Sequence, residues 1–260
     1  MTRFPAPARP LFAVSGFTAG PIRVILSLAL AAVVMQACLV PAREAARWIY
    51  RTVLGGGPIN AGWFVLLAIL LQGVAGLVGI AVARRVLPGF DANLRWPPAR
   101  AYVGPSILIG VFMGLVMLVA DYWPEMLRGV APGAGYSTQP LPALGWMLAM
   151  LGTGLGEETI FRGLLVGLLV VLTPGRVRLG AFEVPAAAVL VAAMFGIAHY
   201  DTFFHSPLHL ALAQQVYAFA WGVIYVWLME RSRSLLAPTI AHGVGNGVEV
   251  GALMLWSLLP

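Results

Sequence analysis

The sequence predicts an all-α, polytopic membrane helix bundle of about seven transmembrane helices, some broken or tilted around an intramembrane polar cavity. Three observations carry that expectation. The 260 residues are 60% hydrophobic and only 10% charged, with a mean hydropathy of +0.88, whereas soluble domains carry roughly 25% charge. The apolar residues form continuous stretches rather than alternating ones, which favours helices over the strands of a barrel. The stretches are also long enough to cross a bilayer, for which a helix needs about 20 residues.

In chain order the apolar runs fall at residues 22–41, 62–83, 102–120, 142–172, 185–204, 208–229 and 235–259. A Pro-rich, basic arm, MTRFPAPARPLFAVSGFTAGP, precedes them over residues 1–21. The first run is long for a signal-peptide core and is expected to remain as a span. The segment REAARWIYR after it reads as a short interfacial helix. Gly73, Gly76 and Gly79 in the second run, and Gly243, Gly247 and Gly251 in the seventh, sit where small residues let helices approach closely. The fourth run is long enough to be tilted or broken, with Gly152, Gly154 and Gly156 as the place for a break. These runs divide the chain into the arm, N-terminal transmembrane helices over 22–141 and a helical core over 142–260. No strand is expected.

The net charge of +6 resembles a nucleic-acid signal until the arginines are mapped. The chain has no lysine, and its arginines cluster between apolar runs, where they orient a membrane protein rather than bind nucleic acid. With seven spans, eleven of them fall on the side of the N-terminus (Arg3, Arg9, Arg23, Arg84, Arg85, Arg95, Arg100, Arg176, Arg178, Arg231 and Arg233). Arg43, Arg47, Arg51 and Arg128 fall on the other side. The asymmetry predicts an integral, multi-pass protein of a bacterial cytoplasmic membrane with its N-terminus inside. The single cysteine, Cys38, excludes an intramolecular disulfide framework.

Ionisable residues within spans cost about 2.5–3.5 kcal/mol each for Asp, Lys or Arg at the centre, and read as functional by default. In GEETIFRG, Glu158 and Arg162 are four apart, share a helix face and neutralise each other. Glu157 lies about 100° away around the helix and is left without a local partner. In FGIAHY, Phe195 and His199 share a face; in AHGVGN, so do His242 and Asn246. Each group alone has a bland alternative: a structural ion cluster, a core histidine bonded to a carbonyl, a packing hydrogen bond. Together they offer a carboxylate, two imidazoles and an amide on three helices. A carboxylate can take a proton from water with help from a histidine, and a second histidine and an amide can donate to an oxyanion. Alternatively, Glu157, His199 and His242 could ligate one divalent metal such as zinc. The HExxH pattern is missing, so the metal reading lacks its usual helical signature. His205 and His209 read as loop or interfacial residues rather than ligands, and Glu249 receives no role.

The motifs EETIFR, FGIAH and HGVGN, in that order and each inside an apolar run, resemble the EExxxR, FxxxH and HxxxN motifs of the CPBP family of intramembrane proteases. That family is also called the CAAX-protease and bacteriocin-processing or Abi family. The resemblance covers roughly residues 142–250, and makes 142–260 a CPBP-like catalytic core. It implies an intramembrane endopeptidase that cuts a peptide bond in or near the membrane. Carried over residue by residue, it makes Glu157 the water-activating base assisted by His199, and His242 and Asn246 the oxyanion donors. Glu158 and Arg162 become a supporting pair, beside Phe195. A glutamate-type mechanism that requires no cofactor is favoured over the metal-dependent one. The implied partners are the lipid bilayer and a peptide or membrane-protein substrate.

Two competing functions remain at this point: a non-catalytic membrane scaffold or immunity protein of the same fold, and a proton-coupled transporter. The second lacks the internal repeat that transporters often show. One feature resists a straight seven-helix arrangement. His199 and His242 would differ in depth by roughly 10 Å at 1.5 Å per residue. Bringing them together needs tilted, broken or short helices, for which Gly196, Pro207 and Pro238 offer places.

Overall fold

The computed structural model of the protein describes residues 11–96, 100–131 and 136–258. Residues 1–10 of the arm, with Arg3 and Arg9, and the last position of the seventh run lie outside the described residues. The architecture is the expected all-α membrane bundle. Its long helices are α1 (Pro21–Thr52), α2 (Ala61–Val86), α3 (Val103–Arg128), α4 (Pro140–Glu158), α8 (Leu208–Ser232) and α9 (Leu236–Trp256). Shorter pieces complete it: a π-helical stretch (Thr159–Val166) and α5 (Gly167–Leu172) continue α4, and α6 (Ala186–Ile197) and α7 (Thr202–His205) precede α8. Five stretches are long and apolar enough to cross a membrane: α1, α2, α3, Ala186–His205 and α8. The protein is thus integral to the membrane.

Glycines set the helix registers: at Gly62, Gly76, Gly110, Gly114, Gly243 and Gly247 a Cβ has no space, and Gly73 and Gly251 pack at ordinary contact. Along α2 and α4, Gly62 abuts Gly145 and Trp146, Gly73 abuts Gly156, and Gly76 abuts Thr159 and Ile160. These two helices therefore run parallel. Gly110 and Gly114 of α3 press on Ala241 and Gly245 of α9, again parallel. Gly243 and Gly247 press on Leu151, and Gly251 on Met147, which makes α4 and α9 antiparallel. These directions alternate along the chain as successive membrane crossings require.

Four expectations need correction. First, REAARWIYR is not a separate interfacial helix. Pro41 removes one backbone bond without ending α1. The buried stripe Ala31, Met35, Cys38, Ala42 and Ala46 runs straight through it at helical spacing. Second, the fourth run does not break at Gly152–Gly156. Those glycines are helical, and the irregularity begins directly after Glu158, where eight buried residues widen into π geometry. Third, the fifth run is not one helix. It stops at Ile197, turns through His199 and resumes briefly as α7.

The fourth correction is a small sheet. β1 (Phe12–Ser15) pairs antiparallel with β2 (Arg176–Leu179), and β2 with β3 (Phe182–Pro185). Gly180, at φ +61°, makes the tight β2–β3 turn. The sheet marks one end of the bundle. There Arg176 binds Glu230 of α8 through both terminal nitrogens (3.1 and 3.0 Å) and Glu183 through Nε (2.5 Å). The Glu230 bonds, with Glu183 adding to them, raise the guanidinium pKa above its usual value. The α8–α9 turn is stapled to the α2–α3 connection at the same end: Leu235 N–H donates to the Asn93 carbonyl (2.8 Å), and the Ser234 hydroxyl donates to the Arg95 carbonyl. The opposite end is closed differently. His209 Nε2 meets the Asp121 carbonyl (3.2 Å), tying the start of α8 to the last turns of α3. α3 itself kinks at Tyr122, two residues before Pro124, whose ring displaces the preceding turn.

Candidate active site

EETIFR straddles the α4–π junction. Glu158 and Arg162 are both fully buried, and Arg162 donates to Glu158 Oε1 at 2.8 Å. The rest of the guanidinium has aromatic rather than polar company. It lies 4.5 Å from the Phe195 ring centroid, 5.1 Å from Tyr225 and 5.9 Å from Phe161, an arrangement in which ring faces attract the cation. Gly222 of α8 leaves room for it, since a Cβ there would meet Arg162 at 3.0 Å. This gives Phe195 a physical role: its ring is the platform under the arginine and stands edge-on to His199 (4.8 Å) and His242 (6.1 Å).

Glu158 does a second job that the sequence left unseen. His242 Nδ1 lies 2.8 Å from the same Oε1 that takes the Arg162 bond. With Nδ1–H donating there, the ring is fixed in orientation, and Tyr225 stacks on it at 5.1 Å and 21°. His242 then presents Nε2 to Glu157, 3.8 Å from Oε2. A carboxylate that orients an imidazole and leaves its far nitrogen facing a reaction site is a recurrent supporting arrangement.

Glu157, by contrast, keeps 22% of its side chain exposed and lines a cavity of about 310 Å³. The cavity wall includes Phe195, His199, His242 and Asn246, so every motif contributes to it. His199 donates Nδ1–H to the Phe195 carbonyl (2.8 Å), which leaves Nε2 as an acceptor. The expected 10 Å depth mismatch disappears because α6 ends at Ile197 and His199 sits in the turn beyond it, with its carbonyl held by Gln215 (3.2 Å) and Thr202 (2.8 Å). Asn246 is braced by Thr153 of α4, whose hydroxyl accepts one amide N–H at 2.8 Å. The second N–H stays free for another acceptor.

The structure thus brings Glu157, His199, His242 and Asn246 to one cavity, with Glu158 and Arg162 sealed behind it. His205 is exposed and His209 faces Asp121 and Trp123. Among the described residues no three His, Cys, Asp or Glu side chains converge closely enough to hold a metal ion, and Glu157, His199 and His242 are no exception. Three cavity residues escaped sequence reading. Tyr217 and Tyr225 look like ordinary aromatic residues of an apolar run. Asp121 lay one residue past the expected end of the third span, whereas α3 continues to Arg128. Glu249, left without a role, also lines the cavity.

Tyr136 of the α3–α4 connection and Thr202 and Ser206 of the α6–α8 connection line the same cavity. Its mouth is therefore at the end of the bundle away from the sheet and its arginines.

No curated protein and no solved structure matches the chain. A sequence model of one family does: that of the Rce1-like proteins, type II CAAX prenyl endopeptidase Rce1-like, matches residues 139–248, the stretch from the start of α4 through Asn246 in α9. With its three motifs gathered at one cavity inside a membrane bundle, this part of the chain is similar to the Rce1-like CAAX proteases.

Proposed function

We propose that the protein is an intramembrane endopeptidase that uses Glu157 to activate water. The observation that carries this is the contrast between neighbours: Glu158 is spent on Arg162 and His242, while Glu157 stands partly solvated in the cavity with two imidazoles beside it. Water held between Glu157 and His199 Nε2 gives its proton to Glu157 as its oxygen attacks the peptide carbonyl. The negative oxygen that forms is met by the free N–H of Asn246 and by His242, which on this reading acts as an imidazolium, with Nδ1–H on Glu158 and Nε2–H donating to the oxyanion. Collapse of the intermediate returns the proton from Glu157 to the leaving amine. Glu158, Arg162 and Phe195 are positioning residues. The catalytic unit on this reading is the helical core over 142–260, with the helices of 22–141 buttressing it.

The mechanism needs no metal ion. The test is cleavage of a membrane-peptide library by purified protein, with Glu157→Ala as control and a chelator arm. We expect wild-type cleavage to survive complete removal of divalent metals and to vanish in Glu157→Ala. Cleavage by Glu157→Ala, or loss on chelation with recovery on zinc addition, overturns the assignment.

The proposed orientation follows from charge. Arg23, Arg84, Arg85, Arg176, Arg178, Arg231 and Arg233 gather at or beside the sheet end, so that end, with the N-terminus, faces the cytoplasm of a bacterial cell. The cavity mouth then opens to the other side. A cysteine introduced at Ser137 in a Cys38→Ala background should be labelled in intact cells by a membrane-impermeant maleimide. Labelling only after lysis reverses the orientation.

A further inference from the structure

The cavity has a second pole that the hydrolytic chemistry does not use. The parallel packing of α3 on α9 through Gly110 and Gly114 places Asp121 and Glu249 on the wall of the same cavity. Asp121 is only 8% exposed. Its Oδ2 accepts from the Tyr217 hydroxyl (3.2 Å), while Oδ1 is buried without a donor. Glu249 lines the cavity. The remaining polar wall here is neutral: Tyr122, Tyr136 and Gln214.

What this pole lacks is a cation. Among the described residues no arginine lines the cavity, the chain has no lysine, and Arg162 is sealed behind Phe195 and Tyr225. The nearest imidazole, His209, is turned to the Asp121 backbone. Two carboxyl groups facing one cavity repel when both are ionised, and Asp121 Oδ1 is left without a donor. A cation placed against them answers both deficits. A free peptide carboxylate, in contrast, finds no guanidinium or ammonium on this wall.

We propose that Asp121 and Glu249 form a cation subsite that takes the guanidinium or ammonium side chain of the substrate peptide. It sets a preference for a basic residue close to the hydrolysed bond. This deepens the peptidase reading and rests on it. Position follows from α9: seven residues separate His242 from Glu249, about 10 Å of helix. An extended peptide rises about 3.3 Å per residue, which places the basic residue within about three residues of the scissile bond.

The test uses full-length protein in lipid nanodiscs and quenched, C-terminally amidated peptides that differ only by arginine, norleucine or glutamate at each position around the cleaved bond. At one position we expect kcat/KM for arginine to exceed that for norleucine by about tenfold or more, as a buried charge-assisted bond allows. In Asp121→Asn/Glu249→Gln the ratio should fall to near one. Equal wild-type rates at every position, or a ratio that survives in the double variant, overturns the subsite. A binding arm separates this from failure of the peptidase reading. Fluorescent arginine and norleucine peptides are titrated onto Glu157→Ala protein with and without the double substitution. Arginine-selective binding that needs both acids upholds the subsite even if nothing is cleaved; indifferent binding overturns it. A pair that discriminates calcium or magnesium but not the two peptides overturns it in favour of a metal site.

Discussion

Glu157 and Glu158 leave the same turn of α4 and enter two different media. On the core side, Glu158 meets an arginine, an imidazole and a shell of aromatic rings, with no exposed surface. On the cavity side, Glu157 meets open space and His242 Nε2 at 3.8 Å, with His199 on the same cavity wall. The first environment fixes geometry through two bonds to Glu158 Oε1 and the rings around the guanidinium, while Glu158 Oε2 and two guanidinium nitrogens stay without a hydrogen-bond partner. The second leaves a carboxylate uncommitted, and an uncommitted base is what proton abstraction requires. One helical step of about 100° therefore separates a sealed, paired acid from one that lines the cavity.

Substitutions can break that contrast at either side. The largest effect is expected on the cavity side: Glu157→Gln should lower kcat by about 10²- to 10⁴-fold, the usual worth of a general base. Thermal unfolding in the same nanodiscs should be unchanged. On the core side, Arg162→Ala leaves Glu158 buried and uncompensated, which costs about 3–5 kcal/mol. It should lower the melting temperature and the folded yield together with activity, and a fully stable variant ends the sealed-pair account. Glu158→Gln keeps a hydrogen-bond acceptor for both partners and should fall between these two. Thr153→Val frees the Asn246 amide and removes about 1 kcal/mol of hydrogen bonding. We expect about a fivefold loss in kcat with little change in KM, as for a group that acts in the transition state. The smallest effect lies far from the cavity. Arg176→Ala breaks a partly exposed network worth about 1 kcal/mol or less, measurable as a small stability loss without loss of cleavage.

The bundle and the Glu157/Glu158 division were legible because burying charge in a membrane is costly and each ionisable residue there stands out. Helix angle alone separated the two acids. It could not show that Glu158 also holds His242, because that bond joins residues 84 apart in sequence. Nor could it place Asp121, since hydropathy ends a span where α3 merely kinks and continues. The sheet was hidden by scale. RVRLGAFEV alternates and carries a turn glycine, yet its strands are four residues each between long apolar helices. The π-helical stretch had no sequence signal, because an irregular turn buried on all sides uses the same apolar residues as a regular one.

α6 has one more consequence. Its 12 residues reach about 18 Å, well short of a hydrocarbon layer of about 30 Å. The turn through His199 and the short α7 make up the missing length, so that Ala186–His205 together are long enough to cross, and the histidine sits at a break inside the crossing rather than on a regular helix face.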